Sequence, residues 1–287
     1  MTSRDWAIEL GGLDPSLWPT FLTENSGLPG PRANLSLASA VGDLGDRALA
    51  DRLTTDDDEY LAMCGAIIRA RHAADADADA DAEAKAEADA HPDADVDLAL
   101  DADADTGAGP ETDADADAHA HAQTKTHADA GAHTRPHAAP SLRALAADAR
   151  WRVREGVALG LQRLGDDDPD TLLAIVAAWA RDPHPLVQRA AVAAVCEPRL
   201  LRSPAAAAAA LDACRTTTAN LVATAVETRR DSEWRTLRQA LGYCWSVAVA
   251  GDPSTGLPLF RALDDSDADV AWIVRENTAK KRLARLL

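Results

Sequence analysis

Histidine is the residue type in this chain whose spacing comes nearest to a metal site. Six of the eight histidines lie between residues 91 and 137, and one alanine separates His119 from His121. Metal binding in a segment without a core must also order the ligands, which opposes closure of a coordination shell. We therefore expect adventitious binding at most, and no metal or cofactor. His72 and His184 are the only other histidines, so acid–base catalysis by histidine is not expected.

Two acidic clusters are the next candidates for chemistry. Residues 166–170 read Asp-Asp-Asp-Pro-Asp, and residues 264–269 include four aspartates. The second cluster has neither the turn glycine nor the terminal glutamate of a calcium loop, and aspartate is common at helix N-termini. The sequence also contains no glycine-rich phosphate loop, GxSxG elbow or HExxH helix. We expect that the protein is not an enzyme.

Arginine is the residue type whose placement most suggests a surface that binds another macromolecule. Three arginines lie together at 150, 152 and 154, and others follow Arg154 at steps of 35, 49 and 37 residues. Two of these steps match the length of a two-helix repeat. If the helices that carry them share a face, they form a positive stripe that nucleic acid could contact. The candidate binding residues are Arg150, Arg152, Arg154, Arg189, Arg238 and Arg275.

A short internal echo also predicts repeated units. The order Trp-x-Val-Arg-Glu occurs at residues 151–155 and again at residues 272–276. A motif that recurs within Ala-, Leu- and Val-rich sequence is typical of stacked helical repeats. Large aromatic side chains in such repeats pack between neighbouring units. We expect this buried role for Trp151, Trp179, Trp234, Trp245 and Trp272.

Helix start signals predict an all-α fold. Asp-Pro pairs begin at residues 14, 168, 182 and 252, and an aspartate N-cap before a proline is a favoured helix start. Gly165 and Gly251 follow apolar runs and are predicted to be left-handed helix stops. Together with apolar spacing, these signals predict helices at 15–24, 31–41, 46–53, 58–71, 142–148, 151–164, 171–180, 185–195, 204–213, 217–228, 233–250, 257–263 and 270–286.

The negative charge of the chain is concentrated in its middle. Of the formal charge of −18, residues 75–139 contribute 18 acidic and 3 basic groups, whereas residues 140–287 contribute 18 acidic and 20 basic groups. The middle alternates Asp with Ala and has almost no larger apolar residue beyond Val96, Leu98 and Leu100, so it cannot form a core. We predict a helical segment at 1–73, a disordered low-complexity linker at 74–140 and a helical-repeat domain at 141–287.

Cysteine placement and the lack of long apolar runs predict the compartment. The four cysteines form no CxxC pair and lie in apolar sequence, which favours buried free thiols over disulfides or zinc ligands. The first ten residues include three charged side chains, unlike a signal peptide. No apolar stretch reaches the length of a membrane helix. We expect a soluble, cytoplasmic protein with no membrane partner.

At its repeated positions the chain resembles the HEAT and armadillo-like α-solenoids. Those repeats often open their second helix with Val-Arg after a short Asp-containing turn, as in residues 148–154, 182–189 and 267–275 here. The resemblance implies a right-handed α-solenoid of helix pairs, interrupted by the linker. It also implies that the valine packs inside, while hydrogen bonds between repeats involve Asp182, Arg154, Arg189 and Arg275.

Such a fold implies two functions that the sequence leaves open. The first is a non-enzymatic scaffold that binds a protein partner along the solenoid surface. The alternative is a nucleic-acid-binding or DNA-repair module, because a bacterial family of glycosylases for alkylated bases uses similar repeats. Salt-dependent DNA binding that requires Arg152 and Arg154 would favour the alternative.

Overall fold

The protein is all-α over the residues that its computed structural model describes, namely 1–30, 32–74 and 141–287. No residue in these ranges forms a β-strand. The predicted linker at 74–140 lies outside the described residues, apart from Ala74. The helices of the described ranges are α1 (Ser3–Gly11), α2 (Trp18–Asn25), α3 (Leu35–Leu44), α4 (Arg47–Thr54), α5 (Glu59–Arg71), α6 (Leu142–Ala146), α7 (Trp151–Asp167), α8 (Pro169–Trp179), α9 (Pro185–Val195), α10 (Pro204–Ala223), α11 (Ser232–Gly251), α12 (Pro253–Arg261), α13 (Ala268–Thr278) and α14 (Lys281–Ala284).

Aspartate caps set several of the helix starts. The side chains of Asp14, Asp168 and Asp252 accept backbone N–H bonds from the turn that follows each of them. The Asp-Pro predictions at residues 168 and 252 are therefore confirmed for α8 and α12, whereas Asp14 caps a short 3₁₀ turn, Pro15–Leu17, that precedes α2. The prediction at residue 182 is wrong in position, because α9 begins at Pro185 and its cap is the Nδ1 atom of His184.

The cap at Asp252 makes stability depend on pH. Hydrogen bonds from Ser254 and Thr255 lower the pKa of the Asp252 carboxyl from 3.8 to about 2. Because the folded pKa is the lower one, this stabilisation is present above pH 3.8 and is lost as the pH falls toward 2. We expect Asp252→Asn to flatten the fall in Tm across this interval, measured by circular dichroism. Asp231→Asn is the control, because Asp231 caps α11 without a side-chain hydrogen bond. Identical profiles for all three proteins would contradict the prediction.

Five helices pack side by side in chain order, namely α5, α7, α9, α11 and α13. In each neighbouring pair, one contact joins residues nearer the starts of both helices and another joins residues nearer their ends. For α5 and α7 these contacts are Glu59 with Arg152 and Arg71 with Asp167, and for α7 and α9 they are Glu155 with Arg189 and Gln162 with Ala193. For α9 and α11 they are His184 with Glu233 and Val192 with Cys244, and for α11 and α13 they are Arg238 with Asp269 and Ser246 with Asn277. The five helices are therefore parallel, and their carboxyl-terminal ends share one side of the row, which we call the carboxyl edge.

The other helices lie beside this row. Helices α6, α8 and α10 each pack against the row helix that follows them, and α12 packs against α11. At the other end of the row, α2, α3 and α4 contact α5, while α1 contacts α3. The described residues after 141 are thus arranged largely as consecutive helix pairs, and the helices before residue 74 extend the same row through α5.

Small residues form the contact between α5 and α7. Gly156 and Gly160 of α7 face α5, and a Cβ atom added at Gly156 would lie 2.6 Å from the carbonyl oxygen of Met63. A Cβ atom added at Gly160 would meet the carbonyl oxygen of Ile67 and lie 2.6 Å from Cβ of Ala70. The two backbones can approach this closely because neither glycine has a side chain.

Two clusters of buried apolar side chains fill the fold. One spreads through residues 141–287 and the small side chains of α5, and the other fills the space among α1 to α5. Trp245 is fully buried in the first, where Nε1 donates to Thr218 Oγ1 at 3.1 Å and the ring packs against Phe260. All four cysteines are buried free thiols, as predicted.

Helix boundaries differ from prediction in several places. Helix α1 is not among the predicted elements, and the predicted final helix 270–286 is divided into α13 and α14. Residues 204–223 form one helix where two were expected, and within it the hydroxyls of Thr217 and Thr218 donate to carbonyl oxygens of the preceding turn. Gly165 lies inside α7, and Gly251 ends α11 without a positive φ, so neither is a left-handed stop. None of the described helices is long and apolar enough to cross a membrane.

Candidate functional site

The first two candidate arginines join the start of α7 to the turn before α5. Arg150 bonds to the carboxylate of Asp148 and to the carbonyl oxygen of Asp56, at 2.9 Å for the latter. Arg152 forms an ion pair with Glu59 at 2.6 Å, and its guanidinium lies 4.5 Å from the ring centre of Trp151. Both guanidinium groups therefore hold neighbouring helices together.

Arg154 and Arg189 also make contacts within the fold, but at different positions of their repeats. Arg154 donates to the carbonyl oxygen of Asp148, six residues before it, and Gln188 donates in the same way to Asp182. Gln188 is thus the equivalent of Arg154. Arg189 corresponds to Glu155, with which it forms an ion pair between α7 and α9. Burial lowers the pKa of the Arg189 guanidinium.

The last two candidates differ from each other. Arg238 forms an ion pair with Asp269 at 2.7 Å between α11 and α13, and it lies 4.7 Å from the ring centre of Trp272. Arg275 has a side chain that is 66% exposed, and its ion-pair contact, at 4.0 Å, is with the adjacent Glu276. The nucleic-acid alternative remains a prediction, but five of the six arginines named for it are engaged inside the fold.

One turn recurs before three of the row helices. Asp56, Asp148 and Asp182 each accept the backbone N–H of the residue two positions later, just before α5, α7 and α9. Five residues after each aspartate comes a buried aliphatic side chain: Leu61, Val153 and Val187. Asp182 also pairs with Arg143 of α6. This spacing is visible in the sequence, and it would have grouped α5 with α7 and α9.

The Trp-x-Val-Arg-Glu echo does not mark equivalent positions. Val153 is the third residue of α7 and is buried, and the third residue of α13 is Val270, which is also buried. Trp272 therefore lies one helical turn beyond the position that corresponds to Trp151. The echo therefore joins residues that lie one helical turn apart in their helices.

Trp151 is exposed, which contradicts the buried role predicted for it. Its exposed fraction is 55%, whereas Trp245 is fully buried and Trp179, Trp234 and Trp272 are partly buried against the core. Trp151 borders a cleft of about 250 Å³ that is also lined by Arg32, Ala33 and Leu35. The first residue of α3, Leu35, is 53% exposed in the same cleft.

A second cleft of about 450 Å³ continues from the first and shares Leu35 and Leu159 with it. We call the two together the Trp151 groove. Its floor contains the buried side chains of Met63 and Ile67 from α5. The charged residues that line it are Arg32, Arg152, Glu155, Arg163 and Arg199. The groove is therefore an apolar trough with more guanidinium than carboxylate groups in its walls.

The described residues offer no candidate metal site and no activated thiol. Within the described ranges, no set of three or more His, Cys, Asp or Glu side chains could hold a metal ion, while His119 and His121 lie outside those ranges. Burial raises the pKa of the Cys64 and Cys214 thiols, so these sulfurs stay protonated and weakly nucleophilic. The Trp151 groove is accordingly the feature of the described residues best suited to contact another molecule.

No protein-family model, curated protein or solved structure matches the chain. What the arrangement of the helices implies for function must therefore be argued from the residues themselves.

Proposed function

We propose that the protein is a non-enzymatic scaffold of HEAT-like helix pairs that binds a protein partner through the Trp151 groove. The observation that carries the proposal is the half-exposed Trp151 beside the apolar cleft. A tryptophan leaves much apolar area in water at this position, and burial against a partner would remove it. Tryptophan and arginine are also the side chains that most often dominate binding energy at protein interfaces.

The HEAT-like class is supported by the recurring turn and by the order of the helices. Each of the three Asp turns precedes a row helix whose third residue is buried, and successive row helices are parallel neighbours. Stacked two-helix units give this arrangement, because each unit buries a face against the next one.

The groove also indicates the chemistry of its partner. A volume of about 250 Å³ beside Trp151 and Leu35 is suited to an aliphatic or aromatic side chain. Arg32 is exposed at the rim and would favour a carboxylate or carbonyl group next to that anchor. We infer a partner segment with one large apolar residue and an adjacent acidic group.

Replacing Trp151 tests this function. We expect Trp151→Ser to weaken binding by about 2 kcal/mol or more, as is typical of an interface hot spot, and Leu35→Ser to act in the same direction. Proteins captured by the full-length wild type from its native host would be compared quantitatively with those captured by each variant. For any protein that the wild type captures and the variants do not, the affinity for wild type and variants would then be measured with purified components.

Ile8→Ser is the matched control. Ile8 is a 70% exposed apolar residue of α1 and does not line the groove. Its variant should capture the same proteins as the wild type. If the Trp151 and Leu35 variants also retain every protein, the groove is not the binding surface and the proposed function fails.

A further inference from the structure

Two clefts meet at the short turn that follows α9. The turn, Leu200–Arg202, stands between them: Leu200 lines one cleft, of about 310 Å³, and Leu201 lines the other, of about 440 Å³. Arg202 lines both clefts. They lie along the carboxyl edge, because the ends of α7 and α11 contribute to their walls. We call the two clefts together the Arg202 site.

The lining of each cleft includes buried apolar side chains. Leu172 of α8 and Ala206 of α10 line the smaller cleft, while Leu201 and Val247 line the larger one, and all four are buried. The turn is held closely against α11, since a Cβ atom added at Gly251 would lie 3.0 Å from Cβ of Leu201. The apolar surface is therefore preformed, and covering it requires little ordering of the turn.

The charged residues of the Arg202 site leave two guanidinium groups uncompensated. Among the described residues that line it, Asp166 supplies the one carboxylate, which Arg199 engages at 2.9 Å. Arg202 is exposed and Arg282 is partly buried, and neither forms an ion pair with a described residue. Nη2 of Arg282 donates to the hydroxyl of Tyr243 at 2.8 Å, which orients the guanidinium without neutralising it.

The surroundings of the site add positive charge. Lys281 and Arg285 are exposed on either side of Arg282 in the chain, and neither has an ion pair with a described residue. The carboxylates nearest in sequence to the lining are already engaged, because Glu197 pairs with Arg199 and Asp252 caps α12. An apolar surface thus lies beside cations that lack a counter-charge from the described residues.

We propose that the Arg202 site binds an extended acidic segment of a partner protein. The segment places one apolar side chain in each cleft and a carboxylate against Arg202 between them. Alternate side chains of an extended chain point to the same side. The recognised pattern is therefore apolar, any residue, acidic, any residue, apolar. A further carboxylate beyond the second apolar residue pairs with Arg282, and both contacts are charge-assisted hydrogen bonds.

The apolar lining favours a peptide over nucleic acid. A phosphate backbone would use the cations but leave the leucine and valine surface uncovered, and stacked bases need aromatic side chains. No aromatic residue occurs among the described residues that line the two clefts. An acidic peptide with apolar side chains matches both properties of the site.

The inference does not depend on the function proposed for the Trp151 groove. Of the described lining residues, the two sites share Arg199 alone. Arg202 and Arg282, which carry the charge of the Arg202 site, do not line the groove. Each site can therefore be tested by variants that leave the other intact.

A synthetic peptide probes the site in the purified full-length chain. Fluorescein-labelled Gly-Leu-Ser-Asp-Ser-Leu-Asp-Gly would be titrated by fluorescence anisotropy at low ionic strength. We expect saturable binding that weakens as salt is added. Replacing both leucines of the peptide by serine, or both aspartates by asparagine, should weaken binding by about tenfold or more. If the leucine-free peptide binds as tightly as the original, the attraction is between charges alone and the proposal fails.

Protein variants locate the bound peptide. Arg202→Ala/Arg282→Ala should weaken binding of the peptide by about tenfold or more. The matched control Arg230→Ala/Arg235→Ala removes two exposed cations that line neither cleft, and it should bind as the wild type does. Trp151→Ser should also bind normally. Loss of binding in Trp151→Ser but not in Arg202→Ala/Arg282→Ala would place the peptide in the Trp151 groove and overturn the proposal.

Two other occupants give distinct results in the same experiments. Duplex DNA that binds more tightly than the peptide, and that requires Arg202 and Arg282, would assign the site to nucleic acid. Self-association of the wild type in sedimentation velocity, absent from Arg202→Ala/Arg282→Ala, would assign it to a second copy of the chain. Either result would overturn the proposal.

Discussion

Replacement of Gly160 by alanine is expected to destabilise the protein by about 3 kcal/mol, at the upper end of the usual cost of overpacking. The added Cβ would meet the Ile67 carbonyl oxygen and the Cβ of Ala70. These are backbone and stem atoms, which no side-chain rotation can move away. Helix propensity acts the other way, since alanine is favoured over glycine in a helix by about 1 kcal/mol. A net loss would therefore show that steric contact outweighs propensity.

Urea unfolding of the full-length chain measures this effect, and hydrogen exchange locates it. Exchange should accelerate in α5, because α5 must move away from α7 to admit the methyl group. Gly11→Ala is the matched control, because Gly11 is also helical but has no atom within 4 Å of an added Cβ. Its stability should be unchanged or slightly raised. If Gly160→Ala is as stable as this control, the close packing of α5 on α7 is wrong.

Helix starts could be predicted from the sequence because caps act within a single turn. Asp168 and Asp252 each hold the N–H groups of the next residues, and proline supplies the first helical position. Both features are local, so no knowledge of the rest of the fold is needed. Helix ends were less predictable because they depend on packing. Gly165 resembles a helix stop in the sequence, but it lies inside α7, where it faces the side chain of Leu172 from α8.

Equivalent positions in the row helices could not be found from identical residues. The echo at residues 151–155 and 272–276 matches at four of five positions, yet the buried third residues of the two helices are Val153 and Val270. Burial follows the position relative to the helix start, where the turn fixes the direction of the chain. The recurring Asp turn preserves that relation, because its carboxylate binds an N–H at a constant distance along the chain.

The exposure of Trp151 could not be inferred from its own helix. Its environment is set by residues 32–35, more than a hundred positions earlier, and by Met63 of α5. No short-range pattern contains that information. The arginine stripe expected for nucleic acid has a similar explanation, because the partners of Arg152 and Arg189 lie on neighbouring helices and use these charges within the fold.

Among the polar residues of 141–287, Asn277 is expected to contribute most to stability. Asn277→Leu should lower the free energy of unfolding by about 2–5 kcal/mol. The side chain is fully buried, and its Oδ1 accepts the backbone N–H of Ser246 at 2.8 Å. Its Nδ2 donates to the carbonyl oxygens of Leu241 and Ile273. Asn277 thus supplies hydrogen-bond partners to the interior of α11 from a neighbouring helix. Leucine has a similar size but can satisfy none of these groups.

Arg275→Leu is the control that separates this effect from a general response of α13 to leucine. Arg275 lies on the same helix with a mostly exposed side chain, and its replacement should change the free energy of unfolding little. In Asn277→Leu, the Ser246 amide should exchange faster with solvent, because α11 loses an acceptor there. Equal stability of the two variants would mean that α11 satisfies its own backbone groups. The contact between α11 and α13 would then rest on apolar packing around Ile273 rather than on the asparagine.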